Sequence, residues 1–414
     1  MENFKYVLYL FSCAAKGERV EIIKDIDIKE IYSISARHGI WSIVFIVVKQ
    51  LYEEDNTVFN LNEDLFNKFD FMFMQSVSKN VVKWGRLPEI LNELSSAGID
   101  ACLLKGLTLG ALYNEPYSRS TTDVDLLVKS EEEERACDVL KTLGFDVKYK
   151  WEGSHHTKCT RADVGLIEIH TQLYDKKVQK LWFDIDAKQE YPYEDFVFDN
   201  LTCKQLNATD GLIFNFLHFV KHYIAGLVTV KQLMDVMLYI KKYKLKIDFD
   251  KFENAVSSLN YLRLYEAIKC LAIKHLGFTY EELAQESSLQ DYSDIVESIV
   301  EDMNKYASST NGSVYHIYTE RMEKKRSQGK NVEKAHTQNW QSIYRILWAD
   351  KGRMIELYGT AYERIYLRPF LQMHRVLTRL MNIKKYINKK NNVKTKENIE
   401  AQDRIILFEK LDVM

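Results

Sequence analysis

Proline is scarce in this chain, with four in 414 residues. Proline fixes φ and removes a backbone donor, so its rarity leaves few rigid loops. With plentiful Lys, Ile, Tyr and Glu, that suits a helix-rich protein. Paired cysteines are missing too. Cys13, Cys102, Cys137, Cys159, Cys203 and Cys270 are scattered with no C-x-x-C pair. That argues against a zinc ribbon or a secreted disulfide framework and points to a reducing cytoplasm. Charge of one sign is absent. The formal net charge of −2 creates no strong field toward nucleic acid or an anionic membrane, which counts against long nucleic acid as a partner. Long apolar runs are absent as well. The first amphipathic stretch (Tyr6, Val7, Leu10, Phe11) soon meets Lys16, Glu18 and Arg19 and has no signal-peptide cleavage pattern. Ile40–Val48 is about nine residues, enough for a buried helix but not for a bilayer, so no membrane partner is expected.

The remainder is 46% hydrophobic, 28% charged and 12% aromatic, ordinary for a globular chain long enough for two or three domains. Residues 1–96 read as helices. Ile31, Ile34, Ala36, Ile40, Trp41, Val44 and Val48 recur at near-helical spacing, and Phe66–Trp84 forms a second amphipathic pattern. Gly98 breaks that periodicity and opens an α+β core over 97–205. A buried strand is expected at Ile99–Leu104, a short helix at Leu107–Tyr113 and a turn at Asn114–Ser118. A second strand is expected near 122–128, then a helix opened by a capping box at Ser130–Glu133 and closed at Gly144. Two or three antiparallel strands then follow across Phe145–Tyr149, His155–Arg161 and Gly165–His170, completing a compact α+β unit with a small mixed or antiparallel sheet. Helices return over 206–387 (Asp210–Tyr223, Val230–Tyr243, Phe252–Leu276 and beyond). Residues 388–414 read as a basic linker and a short tail, in which Ile405–Phe408 docks back.

The chemistry concentrates at Asp123-Val124-Asp125. Residues two apart on a strand share a face, so both carboxylates project together. Like charges that close repel unless a cation sits between them. Mg²⁺, held by one or two carboxylates plus phosphate oxygens, is the usual remedy in phosphoryl- and nucleotidyl-transfer sites. A charged strand end is the plainer alternative, since a bare D-x-D recurs by chance. In Ile167-Glu168-Ile169-His170 the alternation puts Glu168 and His170 on one face. If that strand neighbours the first, Glu168 becomes the third acid that a two-metal site needs. Otherwise it is an exposed glutamate, and His170 is either a substrate contact or a locally satisfied histidine.

Lys105-Gly106, with Thr108, ends the first strand where an anion can dock, and Arg119, followed by Ser120, is in reach of a triphosphate. His218 and His222 have the i, i+4 spacing of a metal pair, but Phe219, Val220 and Lys221 stand between them and no third ligand is evident. A helix lining the cleft, with Lys221 or His222 near acceptor or phosphates and Asp235 orienting a histidine, is the preferred reading. Asp210 reads as a helix start. His155-His156 belongs to a strand or turn, and Phe214, Phe216 and Phe219 belong to the core. Lys324-Lys325-Arg326 is a solvated helix face.

With those residues in place, the chain resembles the uncharacterised nucleotidyltransferase family of bacteria, within the polymerase-beta-like nucleotidyltransferase superfamily. Gly98-Ile99, Leu104-Lys105-Gly106, Tyr113, Arg119, Asp123-Val124-Asp125-Leu126-Leu127-Val128, Leu143-Gly144-Phe145 and Glu168-Ile169-His170 carry the likeness. Ala36-Arg37-His38-Gly39-Ile40, His218–His222 with Asp235, and Tyr366-Leu367-Arg368 extend it. The resemblance implies that Asp123, Asp125 and Glu168 hold Mg²⁺, two ions at most. It also implies that an acceptor hydroxyl attacks the α-phosphate of an NTP in line, with pyrophosphate leaving. Two features depart from the superfamily. Its Gly-Ser or Gly-Gly pair is Gly106-Leu107 here, and the gap to the first aspartate is longer.

The expected function is therefore Mg²⁺-dependent transfer of a nucleoside monophosphate from an NTP to an unidentified hydroxyl, with a small molecule favoured as acceptor. The alternatives are a non-catalytic nucleotide- or partner-binding protein on the same fold, or a toxin–antitoxin component that nucleotidylates protein or tRNA.

Overall fold

Apolar–polar alternation over 123–128 and 165–170 makes two-faced strands, and the observed sheet is built around that pair. The computed structural model describes residues 1–22, 26–149, 156–173, 193–284 and 292–306, and beyond these residues 354, 358, 364–381, 404 and 406–413. It divides into two units. One is Met1–Tyr149, His155–His316 and Leu407–Met414; the other is Lys150–Ser154 with Ile317–Ile406.

In the first unit the helices before the sheet are α1 (Glu2–Lys16), α2 (Ile28–Arg37), α3 (Trp41–Glu54), α4 (Glu63–Gly85) and α5 (Leu87–Ser96). Asp27 and Asn62 cap α2 and α4 by accepting the backbone N–H of Lys29 and Leu65. Within and after the sheet come α6 (Leu107–Gly110), α7 (Glu133–Thr142), α8 (Ala208–Ile224), α9 (Val230–Tyr243), α10 (Phe249–Ser258), α11 (Leu262–Leu276) and α12 (Ser293–Tyr306). The second unit contributes α13 (Arg368–Met381), whose His374 is hydrogen-bonded to Tyr358 at 2.9 Å. Among the described residues no helix is long and apolar enough to cross a membrane.

The strands are β1 (Cys102–Leu103), β2 (Asp123–Leu127), β3 (Asp146–Lys148), β4 (His156–Arg161), β5 (Gly165–His170), β6 (Tyr193–Phe198) and β7 (Leu201–Leu206). They form one mixed seven-stranded sheet in the order β3-β4-β5-β2-β1-β7-β6. β2 runs parallel to β5 and β1 parallel to β7, while the other neighbours are antiparallel.

Each face of the sheet meets a different core. Val124, Leu126, Ile167, Ile169 and Cys203 pack with Ile90 and Leu94 of α5 and Ala136 and Leu140 of α7. On the other face Cys102, Leu127 and Leu206 join a larger cluster. It includes Phe11, Phe45, Phe216, Tyr223, Tyr265 and Ile299, so the helices before and after the sheet share one apolar interior. Leu407, Phe408, Leu411 and Val413 are buried in the same cluster, while Ile406 is exposed and Ile405 lies outside the described residues.

Several local expectations change. The first strand shortens to two residues and the helix after it to one turn, Leu107–Gly110. The capping box at Ser130–Glu133 does not form. Ser130–Glu132 is a single 3-10 turn, and the Glu133 carboxylate accepts instead from Thr157 Oγ1 at 2.8 Å. The long helix expected over Phe252–Leu276 breaks at Asn260, whose φ of 62° is a conformation asparagine tolerates better than most residues. Hairpin β6–β7 was not expected. It turns at Asp199, with φ 49°. His155, Lys324-Lys325-Arg326 and the basic stretch from 388 to 400 lie outside the described residues.

Candidate active site

Strand register assembles the acids. Parallel pairing of β2 with β5 sets Asp125 opposite Glu168, and Asp123 lies two residues away on the same face. Antiparallel pairing of β4 with β5 adds Lys158 opposite Glu168 and His156 opposite His170. One donor atom from each of Asp123, Asp125 and Glu168 lies within 4.8 Å of the others.

Asp125 is the buried member, 1% exposed. His170 Nε2 lies 2.9 Å from its Oδ1 and Lys105 Nζ lies 3.3 Å from its Oδ2. Burial pushes the carboxyl up, but the His170 hydrogen bond and the Lys105 charge outweigh it and hold Asp125 below the usual carboxylate range. Among the described residues the Lys105 ammonium is the group that meets Oδ2. Asp123 sits at the mouth, 3.9 Å from Lys105 Nζ. Glu168 behaves like Asp125. Burial raises it, and His156, at 3.1 Å, more than compensates. Lys158 lies 3.7 Å from the same Glu168 oxygen.

The connection from β1 to β2 is held from behind. Gly106, at φ 76° and ψ −98°, turns the chain out of β1 in a conformation that costs other residues strain. Arg119 donates from Nε and Nη2 to Asp235 of α9 at 2.7 and 2.6 Å, and from Nη1 to Gly106 O at 3.3 Å. Tyr113 OH donates to the same carboxylate at 2.8 Å. The ion pair is buried on both sides. Arg119, expected at a triphosphate, is thus engaged by Asp235, and Asp235 orients an arginine rather than a histidine. Lys231 Nζ, also on α9, donates to Ser120 O at 3.0 Å, and burial lowers its pKa to about 8. From α4, Asn80 Nδ2 reaches Tyr117 O and Arg119 O at 2.8 and 3.1 Å, and Lys83 Nζ reaches Thr121 O at 2.7 Å.

The remaining expected residues fall into two sets. Lys105 and His170 join the acids. Thr108 is buried in α6, and the Ser120 hydroxyl donates to Gly39 O at 3.3 Å. Because α6 has a single turn, no extended helix dipole stands behind Lys105 and the Gly106 turn. His218 and His222 of α8 lie edge to face, with ring centroids 4.5 Å apart. Burial first, and then the Lys105 charge, lowers both, His222 to about 4. Lys221 is exposed. Sequence reasoning missed His156, Lys231, Asn80 and Lys83. The alternation His156-x-Lys158 beside Glu168 was a usable signal for the first; nothing local announces the other three.

The donor set fits a hard divalent cation. All three atoms are carboxylate oxygens, and the buried Oδ2 of Asp125 already faces positive charge, the Lys105 ammonium at 3.3 Å.

Residues 24–277, more than half of the chain, match the family described as uncharacterised nucleotidyltransferase. The chain belongs to that family. No curated protein matches it in sequence. Three solved structures resemble it. One is the antibiotic-resistance factor ANT(2'')-Ia, with 13% identity over 48% of this chain and 100% of that one, at TM-score 0.33. Another is an antigenic nucleotidyltransferase-like protein from Paracoccidioides brasiliensis, with 16% identity over 49% and 93%, at TM-score 0.30. The third is a tRNA nucleotidyltransferase solved with a primer tRNA and an incoming ATP analogue, with 11% identity over 74% and 99%, at TM-score 0.21. At such scores none of the three bears on what this member of the family does.

Proposed function

We propose that the protein is a Mg²⁺-dependent nucleotidyltransferase of the cytoplasm. It moves a nucleoside monophosphate from an NTP to a hydroxyl of a small-molecule acceptor and releases pyrophosphate. The observation that carries this reading is the convergence of Asp123, Asp125 and Glu168 from two adjacent strands, their donor atoms within 4.8 Å. Asp123, Asp125 and Glu168 would hold the cation. When bound, it supplies Lewis-acid stabilisation of the phosphates and lowers the pKa of the attacking hydroxyl.

The protein's own groups do the rest. Lys105, free to leave the aspartates once their charge is neutralised, turns to the anionic triphosphate. In the metal-free protein the contacts of His170 with Asp125 and of His156 with Glu168 hold both carboxyls below the usual range, so both are ionised when the cation arrives. His218 and His222, kept neutral by burial and by Lys105, offer hydrogen bonds to the acceptor without adding charge. Six free thiols suit the cytoplasm, and the near-zero net charge favours a small acceptor over a long polyanion.

Incubation of the protein with α-labelled NTPs, Mg²⁺ and cell extract tests this. Label should enter the small-molecule fraction, and Asp125→Asn should lower that transfer by roughly 10²–10³-fold or more. Label in protein or RNA would redirect the acceptor. Equal labelling by wild type and Asp125→Asn would end the enzymatic reading.

A further inference from the structure

Beside the all-oxygen group lies a second cluster with different donor chemistry. One ring nitrogen each of His156 and His170 and a Glu168 oxygen also lie within 4.8 Å of one another. The strands dictate this. Glu168 and His170 are two apart on β5 and therefore share a face, and His156 stands directly across from His170 on β4. Both rings present Nε2 inward, with centroids 5.2 Å apart. Glu168 Oε1 lies 3.1 Å from His156 Nε2, and its Oε2 lies 3.9 Å from His170 Nε2. Asp125 Oδ1 lies 2.9 Å from His170 Nε2, a hydrogen bond that the ring gives up on turning to an ion. All three side chains are partly shielded, at 25%, 12% and 17% exposure, yet reachable from solvent.

We propose that His156, Glu168 and His170 form a site for a divalent first-row transition ion of the Zn²⁺ type, sharing Glu168 with the carboxylate group that suits Mg²⁺. Two imidazoles and a carboxylate are the ligand set of open tetrahedral zinc sites, whereas Mg²⁺ takes oxygen and disfavours nitrogen. Ligands at about 2.0–2.1 Å from a tetrahedral ion lie about 3.3 Å from one another. The 3.1 Å edge from His156 Nε2 to Glu168 Oε1 already has about that length. The 3.9 Å edge from His170 Nε2 runs to the other oxygen, Oε2, so the His170 ring and the carboxylate must turn toward each other for one ion to join all three side chains. A carboxylate has two oxygens and can bridge neighbouring ions. Lys158, 3.7 Å from Glu168 Oε1 and nearly half exposed, can swing into solvent as the ion enters. The competing account has both histidines simply donating N–H to the carboxylates.

Co²⁺ separates the two accounts, because its visible bands are intense at a four-coordinate site of the zinc type and weak at an octahedral all-oxygen one. The metal-free protein should bind one equivalent with visible bands. Zn²⁺ should displace it, and millimolar Mg²⁺ should not. His156→Gln and His170→Gln should each weaken Co²⁺ by more than the roughly 10–100-fold typical of lost outer-shell support. Asp123→Asn should keep the bands. Should the histidine variants fail to fold, X-ray absorption of Zn²⁺ on the wild-type protein should show two imidazole nitrogens at about 2.0–2.1 Å. Absence of Co²⁺ bands, bands that survive His156→Gln, or an all-oxygen Zn²⁺ shell would overturn the site. None of these readouts requires nucleotidyl transfer. A transfer-dead protein with histidine-dependent Co²⁺ bands would sink only the enzymatic reading.

Discussion

Arg119 and Asp235 show how this site is supported from outside it. Two guanidinium nitrogens meet two carboxylate oxygens in a buried pair, with Tyr113 and the Gly106 carbonyl taking remaining capacity. A buried pair gains little over apolar residues of the same shape, but removing one partner strands a charge. Arg119→Met and Asp235→Leu should each destabilise the protein by about 3–5 kcal/mol in denaturant titrations. The double variant should lose clearly less than the sum. Additive losses would mean that the two side chains do not act as a unit. The acids of the site were legible because alternation along a strand is a local property. The Arg119–Asp235 pair was not, because 116 residues separate its members and each looks ordinary in its own segment.

At the scale of elements, helices α4, α8 and α9 follow from periodicity almost to their ends. The break at Asn260 hides in a continuous apolar pattern. Hairpin β6–β7 was readable in Phe196-Val197-Phe198 and Leu201-Thr202-Cys203, whose alternation flanks an Asp-Asn turn. Contact between helices is decided by sizes no periodicity reports. Gly211 of α8 faces Tyr239 of α9, and a Cβ there would come within 2.1 Å of the phenol oxygen. Helix propensity alone would make Gly211→Ala stabilising by about 0.5–1 kcal/mol. Overpacking against a buried tyrosine costs about 1–3 kcal/mol. The substitution should therefore lower the melting temperature, and a rise would show that α8 and α9 have room to separate.

For the first unit as a whole, the sequence suggested helices on either side of an α+β core but not that they share an interior. Shared burial arises from long-range packing of faces that look alike in isolation. His38 marks that junction. It is fully buried, stacked on Phe4 of α1 at 5.0 Å, and its Nδ1 accepts the Val230 N–H of α9 at 3.4 Å. Burial, and then the charge of Arg37, depresses its pKa from 6.5 to about 3. The unfolded chain takes up a proton below 6.5 that the folded chain refuses down to about 3. Stability from this group is thus complete above pH 6.5 and lost as pH falls through that window, by up to about 1.4 kcal/mol per pH unit. His38→Asn keeps an acceptor without the titration. Its denaturant midpoint should fall less steeply between pH 6.5 and 4 than that of the wild type, and parallel curves would place the acid sensitivity elsewhere.

Under the proposed function Asp123, Asp125 and Glu168 act as one seat for a metal-bound nucleotide. Calorimetric titration with an α,β-methylene NTP analogue, in Mg²⁺ and again in chelator, reads this without any turnover. Binding should require Mg²⁺ and should vanish alike in Asp123→Asn, Asp125→Asn and Glu168→Gln. Binding of equal affinity without the metal, or its survival in Glu168→Gln, would contradict the account.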